Sequence, residues 1–225
     1  MRHKNTACAP YPASWFDAGC RRCPRLAAFL DQVKSERPGY YAAPVPPFGP
    51  ADAPLLVVGL APGMHGANRT GRPFTGDHAG ILLYRTLWEL GLASGPESVA
   101  ADDGLQLVDC RITNAVKCLP PANKPLPAEV RECRAWLAAE LRESAPRVLL
   151  ALGRIAHDGV LDALGLKRSA HGFAHGAQHA LPGGSWLVDS YHCSRYNTQT
   201  RRLTDAMFRE VVARAARLAG LEATG

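Results

Sequence analysis

Short apolar runs bounded by turn residues recur along the chain, and stretches of helical periodicity follow most of them. Leu55-Leu56-Val57-Val58-Gly59 is such a run, and its length and flanks predict a strand buried on both faces. Val108–Val116 predicts a second strand, Arg147–Gly153 a third and Trp186–Ser190 a fourth. Leu82, Leu83, Leu87 and Leu90 fall at helical spacing, which predicts a helix over Ile81–Leu90. Glu129–Ser144, with Pro127 before it and Pro146 after it, predicts another, and His157–Leu164 follows the third strand. A helix near Cys23–Lys34 opens the pattern and Leu203–Leu218 closes it.

Strand and helix alternating in this way predict an α/β fold: a single three-layer α/β/α domain over 1–225, with a central four-stranded parallel sheet. Residues 1–50 are its irregular part, ending in a proline-rich stretch. Ligands of such sheets bind outside the carboxyl ends of the strands. Chemistry is therefore expected just after Gly59, Val116, Gly153 and Asp189.

A length of 225 residues, 47% of them hydrophobic, suffices for one such core. No apolar run reaches 18 residues, so no membrane span is expected. Met1-Arg2-His3-Lys4 is basic but leads into no apolar stretch, so the expected location is cytoplasmic. The net charge of +6 suits a polyanionic partner and equally a mildly basic enzyme without one. Seven cysteines, an odd number, do not make a disulfide framework in a reducing compartment.

Ala61–Gly80 is rich in glycine, which lets backbone approach a ligand closely. It is neither a P-loop nor a dinucleotide fingerprint, because no Gly-Lys-Ser/Thr and no GxGxxG spacing occurs. It holds a polar cluster, Asn68, Arg69 and Asp77, and the aromatic Phe74, whose ring either stacks on a base or packs in the core. Asn114, at the end of strand two, either pairs with a base edge or caps a loop. Cys20 and Cys23 form a CxxC, and with Cys118 and Cys133 they make four thiols able to hold zinc or a [4Fe–4S] cluster. Spacing does not separate the two. Cys8, Cys110 and Cys193 are surplus and are expected to be small apolar residues.

Three blocks carry a resemblance. Gly59-Leu60-Ala61-Pro62-Gly63 with Gly66-Ala67-Asn68-Arg69-Thr70-Gly71-Arg72-Pro73-Phe74-Thr75-Gly76-Asp77, Thr113–Pro125, and Asp189–Leu203 resemble the uracil-DNA glycosylase superfamily, and within it family 5, the type b branch. Leu60 stands where the family 4 branch has a glutamate, so no catalytic acid is available there. The resemblance implies a monofunctional glycosylase that hydrolyses the N-glycosidic bond of uracil, and of hypoxanthine or xanthine, in DNA. It gives Asp77 the sugar cation and the attacking water, and His192 a hydrogen bond to the departing base. Gly59, Ala61, Asn68, Phe74 and Asn114 form the base pocket, with Phe74 stacking and Asn114 reading the base edge.

Arg69, Asn123, Lys124, Ser194, Arg195, Tyr196, Asn197 and Arg201 are implied DNA contacts, the segment Arg195–Arg202 being a loop that enters the duplex. The resemblance also assigns Cys20, Cys23, Cys118 and Cys133 to a structural [4Fe–4S] cluster rather than zinc. Arg21, Arg22 and Arg25 either touch phosphates or form a solvated basic face. Lys117 and Lys124 are the lysines of these blocks, and simple hydrolysis without a Schiff base is expected. The partner is DNA carrying uracil or another deaminated base, the enzyme a monomer. A metal-cluster DNA-binding module without catalysis is the alternative; it explains the charge and the cysteines but not His192.

Overall fold

The computed structural model describes residues 11–221. Among them the elements run α1 (Pro24–Glu36), β1 (Leu55–Gly59), α2 (Ala67–Thr70), α3 (His78–Glu89), β2 (Cys110–Asn114), α4 (Pro127–Ser144), β3 (Val148–Leu152), α5 (Arg154–Ala163), β4 (Gln178–Ala180), β5 (Trp186–Ser190), α6 (Arg195–Gln199) and α7 (Asp205–Leu218). The strands form one sheet in the order β2-β1-β3-β5-β4. The four long strands are parallel, as the apolar runs predict.

A fifth strand corrects the four-stranded expectation. Gln178-His179-Ala180 pairs antiparallel with β5 at the sheet edge. Only three residues long and mostly polar, it carries no apolar run to betray it. The expected loop at Arg195–Arg202 also contains the short helix α6. Helix α3 begins at His78, three residues before the predicted start at Ile81, because Asp77 caps it.

Alternation along the strands sorts the core into two layers. Leu55, Val57, Ile112, Leu150, Leu152 and Val188 face α3 and α7. Leu56, Val58, Leu149, Ala151 and Leu187 face the other way, towards α4 and α5. Every residue of β1, β2 and β3 is buried, which is why β1 and β3 read as continuous apolar runs. Cys110 and Cys193 are fully buried in the first layer, as small apolar residues would be. Cys8 lies outside the described residues.

β2 is the departure from apolarity: Arg111 and Thr113 both point at Glu140 of α4. Arg111 Nε donates to Glu140 Oε1 at 3.0 Å and Thr113 Oγ1 to Oε2 at 2.9 Å. Lys117 Nζ reaches the same carboxylate at 3.2 Å. A buried charge without partners is costly; here Arg111 and Lys117 share one carboxylate, and Arg111 also donates to the Pro50 carbonyl and the Ser144 hydroxyl. The network fixes α4 against the sheet edge. The chain leaves β1 for the β2 side and returns on the other side to β3. The switch point therefore lies between β1 and β3, and a crevice is expected at their carboxyl ends.

Candidate active site

A cavity of about 220 Å³ opens there, lined by Ala61, Phe74, Asp77, Asn114, Asn123, His192 and Ser194 among others. Seven residues singled out in the sequence thus meet in one place, delivered by the ends of β1, β2 and β5. Phe74 and His192 stack, with ring centroids 5.9 Å apart and planes 28° from parallel. Phe74 takes φ = 54°, a left-handed conformation unusual for an aromatic residue. It is held there from behind: the buried Tyr84 hydroxyl donates to the Pro73 carbonyl at 2.7 Å. Gly80 is obligatory under it, since a Cβ would lie 1.8 Å from the Phe74 carbonyl oxygen.

Gly59 has the same kind of role. A Cβ on Gly59 would come within 2.4 Å of Asn114 Oδ1 and 2.7 Å of the Phe74 ring, so its absence lets both side chains reach the cavity. Asn114 Oδ1 is buried without a hydrogen-bond partner among the described residues. A buried acceptor left open costs roughly 1–3 kcal/mol and marks a place where a ligand donor is wanted.

Asp77 caps α3, its Oδ1 accepting from Gly80 N–H at 2.9 Å. Oδ2 sits against the Gly63–Gly66 turn, 2.3 Å from where a Gly66 Cβ would be. His192 loses proton affinity through burial, only partly offset by Asp77, so its pKa lies below that of a free imidazole. The ring is neutral at neutral pH and can donate one hydrogen bond. Asn197 Nδ2 donates to the His192 carbonyl at 2.8 Å, and Ser194 caps α6.

Other expected site residues fall elsewhere. Asn68 is fully buried on α2, and neither side-chain atom has a partner among the described residues. Arg69 Nε donates to the His65 carbonyl at 2.7 Å, tying the glycine-rich segment together. Lys124, Arg195, Tyr196 and Arg201 are exposed outside the cavity, Tyr196 at 70%. Arg21 pairs with Asp31 and Arg25 with Glu129, while Arg22 lies over Trp136 near Glu132, so all three have protein partners. The sequence reading did not find the contact between His78 Nε2 and Thr198 Oγ1, 3.0 Å, which ties the start of α3 to α6.

Cys20, Cys23, Cys118 and Cys133 line one apolar recess with Leu26, Val116 and Trp136. Burial pushes the Cys23 thiol up to about 11 and Cys118 up to about 12, with the neighbouring thiols adding to both. Lys117 N–H donates to Cys133 Sγ at 3.3 Å. Arg25 bridges α1 to α4 through both Glu129 oxygens at 2.7 Å, bringing the elements that carry Cys23 and Cys133 together.

A further cluster lies behind β5. His157 Nδ1 is 2.7 Å from Asp189 Oδ1 and its Nε2 is 2.8 Å from the His171 carbonyl. Both neighbours are acceptors, so both ring nitrogens donate and the ring is an imidazolium. Burial opposes that charge, but Asp189 outweighs it and raises the His157 pKa. His179 Nε2 completes the group at 3.2 Å from Asp189 Oδ2.

Comparison with known proteins gives the arrangement a context. Residues 46–216 match the family model described as the uracil DNA glycosylase superfamily. A type-5 uracil-DNA glycosylase of Thermus thermophilus is 53% identical over 208 residues, covering 90% of this chain and 94% of that protein. One from Pyrobaculum aerophilum is 43% identical over 219 residues, covering 93% and 96%. A type-4 uracil-DNA glycosylase of Saccharolobus solfataricus is 30% identical over 173 residues, covering 74% of each.

Proposed function

The chain belongs to the uracil DNA glycosylase superfamily, as a hydrolase of N-glycosyl bonds, and on that basis we propose that it excises uracil and other deaminated bases from DNA. The observation that carries the reading is the open acceptor Asn114 Oδ1 beside the stacked Phe74–His192 pair. An extruded uracil offers a ring N–H to that oxygen and a face to Phe74. As the C1′–N1 bond breaks, its electron pair leaves on the base, and neutral His192 donates a hydrogen bond to the base oxygen that gains charge. Asp77 Oδ2 faces the cationic sugar and holds the water. The water oxygen adds to C1′, and its proton passes through the Asp77 carboxylate to solvent.

Lys117 is not placed to serve as an amine nucleophile, because its Nζ is bound to Thr113 Oγ1 and Glu140 Oε2 and does not line the base cavity. That supports simple hydrolysis leaving an abasic site. The small walls Ala61, Gly63 and Ala79 support room for hypoxanthine or xanthine as well as uracil. The same reading has the enzyme acting as a monomer in the cytoplasm. Exposed Tyr196 and Arg195 on α6 are placed to fill the gap in the duplex, with Arg201, Asn123 and Lys124 beside the DNA path.

The four converging thiols in an apolar recess, one of them accepting an N–H, suit a [4Fe–4S] cluster held by Cys20, Cys23, Cys118 and Cys133. Such a cluster supplies a cross-link between α1, the segment after β2, and α4. Visible absorption with about four irons per chain is expected of protein purified without oxygen; stoichiometric zinc with a colourless protein would refute the cluster.

The activity is tested with a duplex carrying one uracil opposite guanine. Breakage at the uracil only after hot alkali, with no borohydride-trapped adduct, is the expected result. Binding without base release would instead favour a non-catalytic DNA-binding role.

A further inference from the structure

We propose that the cleft on the far side of His192 seats a second nucleotide of the substrate strand, the neighbour of the extruded one, with its base unstacked against Phe173 and Tyr191. The inference rests on the glycosylase reading above. The cleft has a volume of about 410 Å³ and lies at the carboxyl ends of β3 and β5. His192 is the wall it shares with the base cavity. A strand that delivers its extruded nucleotide to one cavity brings the adjoining nucleotide towards the wall of the other.

The lining has the chemistry of a single-strand binding surface, aromatic rings with guanidinium planes laid over them. The Arg154 guanidinium lies 5.4 Å from the Phe173 ring centre, and that of Arg202 lies 4.6 Å from the Tyr191 ring centre. Neither arginine is paired with a carboxylate among the described residues, and both are exposed. The two guanidiniums thus cover ring faces of the cleft and are the groups an entering base must displace or stack upon, and Arg154 opens α5, whose amino end adds positive potential.

The floor is rigid before anything binds. Tyr191 stacks on His175 at 5.0 Å, and Phe173 packs edge-on against the buried His157 at 5.6 Å. A base entering finds the rings held in place and has only the exposed Arg154 and Arg202 side chains to move, which are then free to meet its phosphate. Occupancy presses on His192 from behind, so the identity of the neighbouring base becomes part of the specificity of the reaction.

The test uses single-turnover uracil release from duplexes in which the base 5′ or 3′ to the uracil is replaced by an abasic tetrahydrofuran. Native protein, Phe173→Leu and Arg154→Ala are compared; the second removes an exposed side chain and so guards against a folding defect in the first. The native protein is expected to lose about tenfold in kcat/KM when the base is removed on one side, the scale of one stacked base. Each variant is expected to be slower on the intact duplex yet to lose less than twofold further on that abasic duplex. Indifference of the native protein on both sides, or the same tenfold loss in the variants, overturns the inference while leaving the glycosylase reading intact. Absence of uracil release from every duplex takes down both.

Discussion

At Asp77 the two carboxylate oxygens face different surroundings, one the helix cap at Gly80, the other the Gly63–Gly66 turn, and the residue lines the cavity. Asn caps helices as well as Asp does, so Asp77→Asn is expected to keep its melting temperature while losing about 10²–10³ in rate. Near-native activity would remove Asp77 from the chemistry. His192 gives a pH test. Its lowered pKa places the acid limb of kcat/KM below the 6.5 of a free imidazole. Because Asp77 raises that pKa, the Asp77→Asn variant is expected to show the limb at still lower pH; a limb that stays in place would mean another group titrates. The residues of the cavity were legible in the sequence because each sits in a long motif at a strand end. Local contacts were not: nothing in the chain order reveals that Arg69 is bound to the His65 carbonyl, or that Asn197 holds the carbonyl of His192.

Among the elements, long buried strands announce themselves and short edge strands do not. Gln178–Ala180 is held by pairing with β5 and by His179 on Asp189, forces absent from its own composition. The His157 imidazolium fastens this edge from inside. Its folded pKa is raised above 6.5, so its stabilisation is complete below that pH and is lost as pH rises through the folded value. Urea unfolding followed from pH 6.5 upward is expected to show falling stability in the native chain and a flatter profile in His157→Gln; parallel profiles would contradict the imidazolium. Helix α6 was read as loop because five residues are too few for a periodicity. Its Tyr196 is 70% exposed, so Tyr196→Ala is expected to leave stability within about 0.5 kcal/mol and to weaken uracil release from duplex more than from single-stranded DNA. Equal loss on both substrates would count against a wedge.

Taken as a whole, the molecule carries a net charge of +6, and among the arginines without a carboxylate partner in the described residues Arg154, Arg195, Arg201 and Arg202 lie around α6 and the start of α5. Each phosphate contact contributes a slope of about −0.9 to log K against log salt on duplex DNA. Replacing Arg195 and Arg201 together is expected to make the slope shallower by about 1.8; an unchanged slope would place the phosphates elsewhere. The packing of the amino-terminal part has a different consequence, one for synthesis on the ribosome. Ser14 and Trp15 both bond Glu143, and Arg25 bonds Glu129, partners 129, 128 and 104 residues later in the chain. At roughly 5–20 residues per second, the segment bearing Cys20 and Cys23 waits about 6–26 s outside the exit tunnel before its docking surface has been made. For that interval the Cys20 and Cys23 thiols stand in solvent without α4, open to oxidation and to any factor that recognises nascent cysteines.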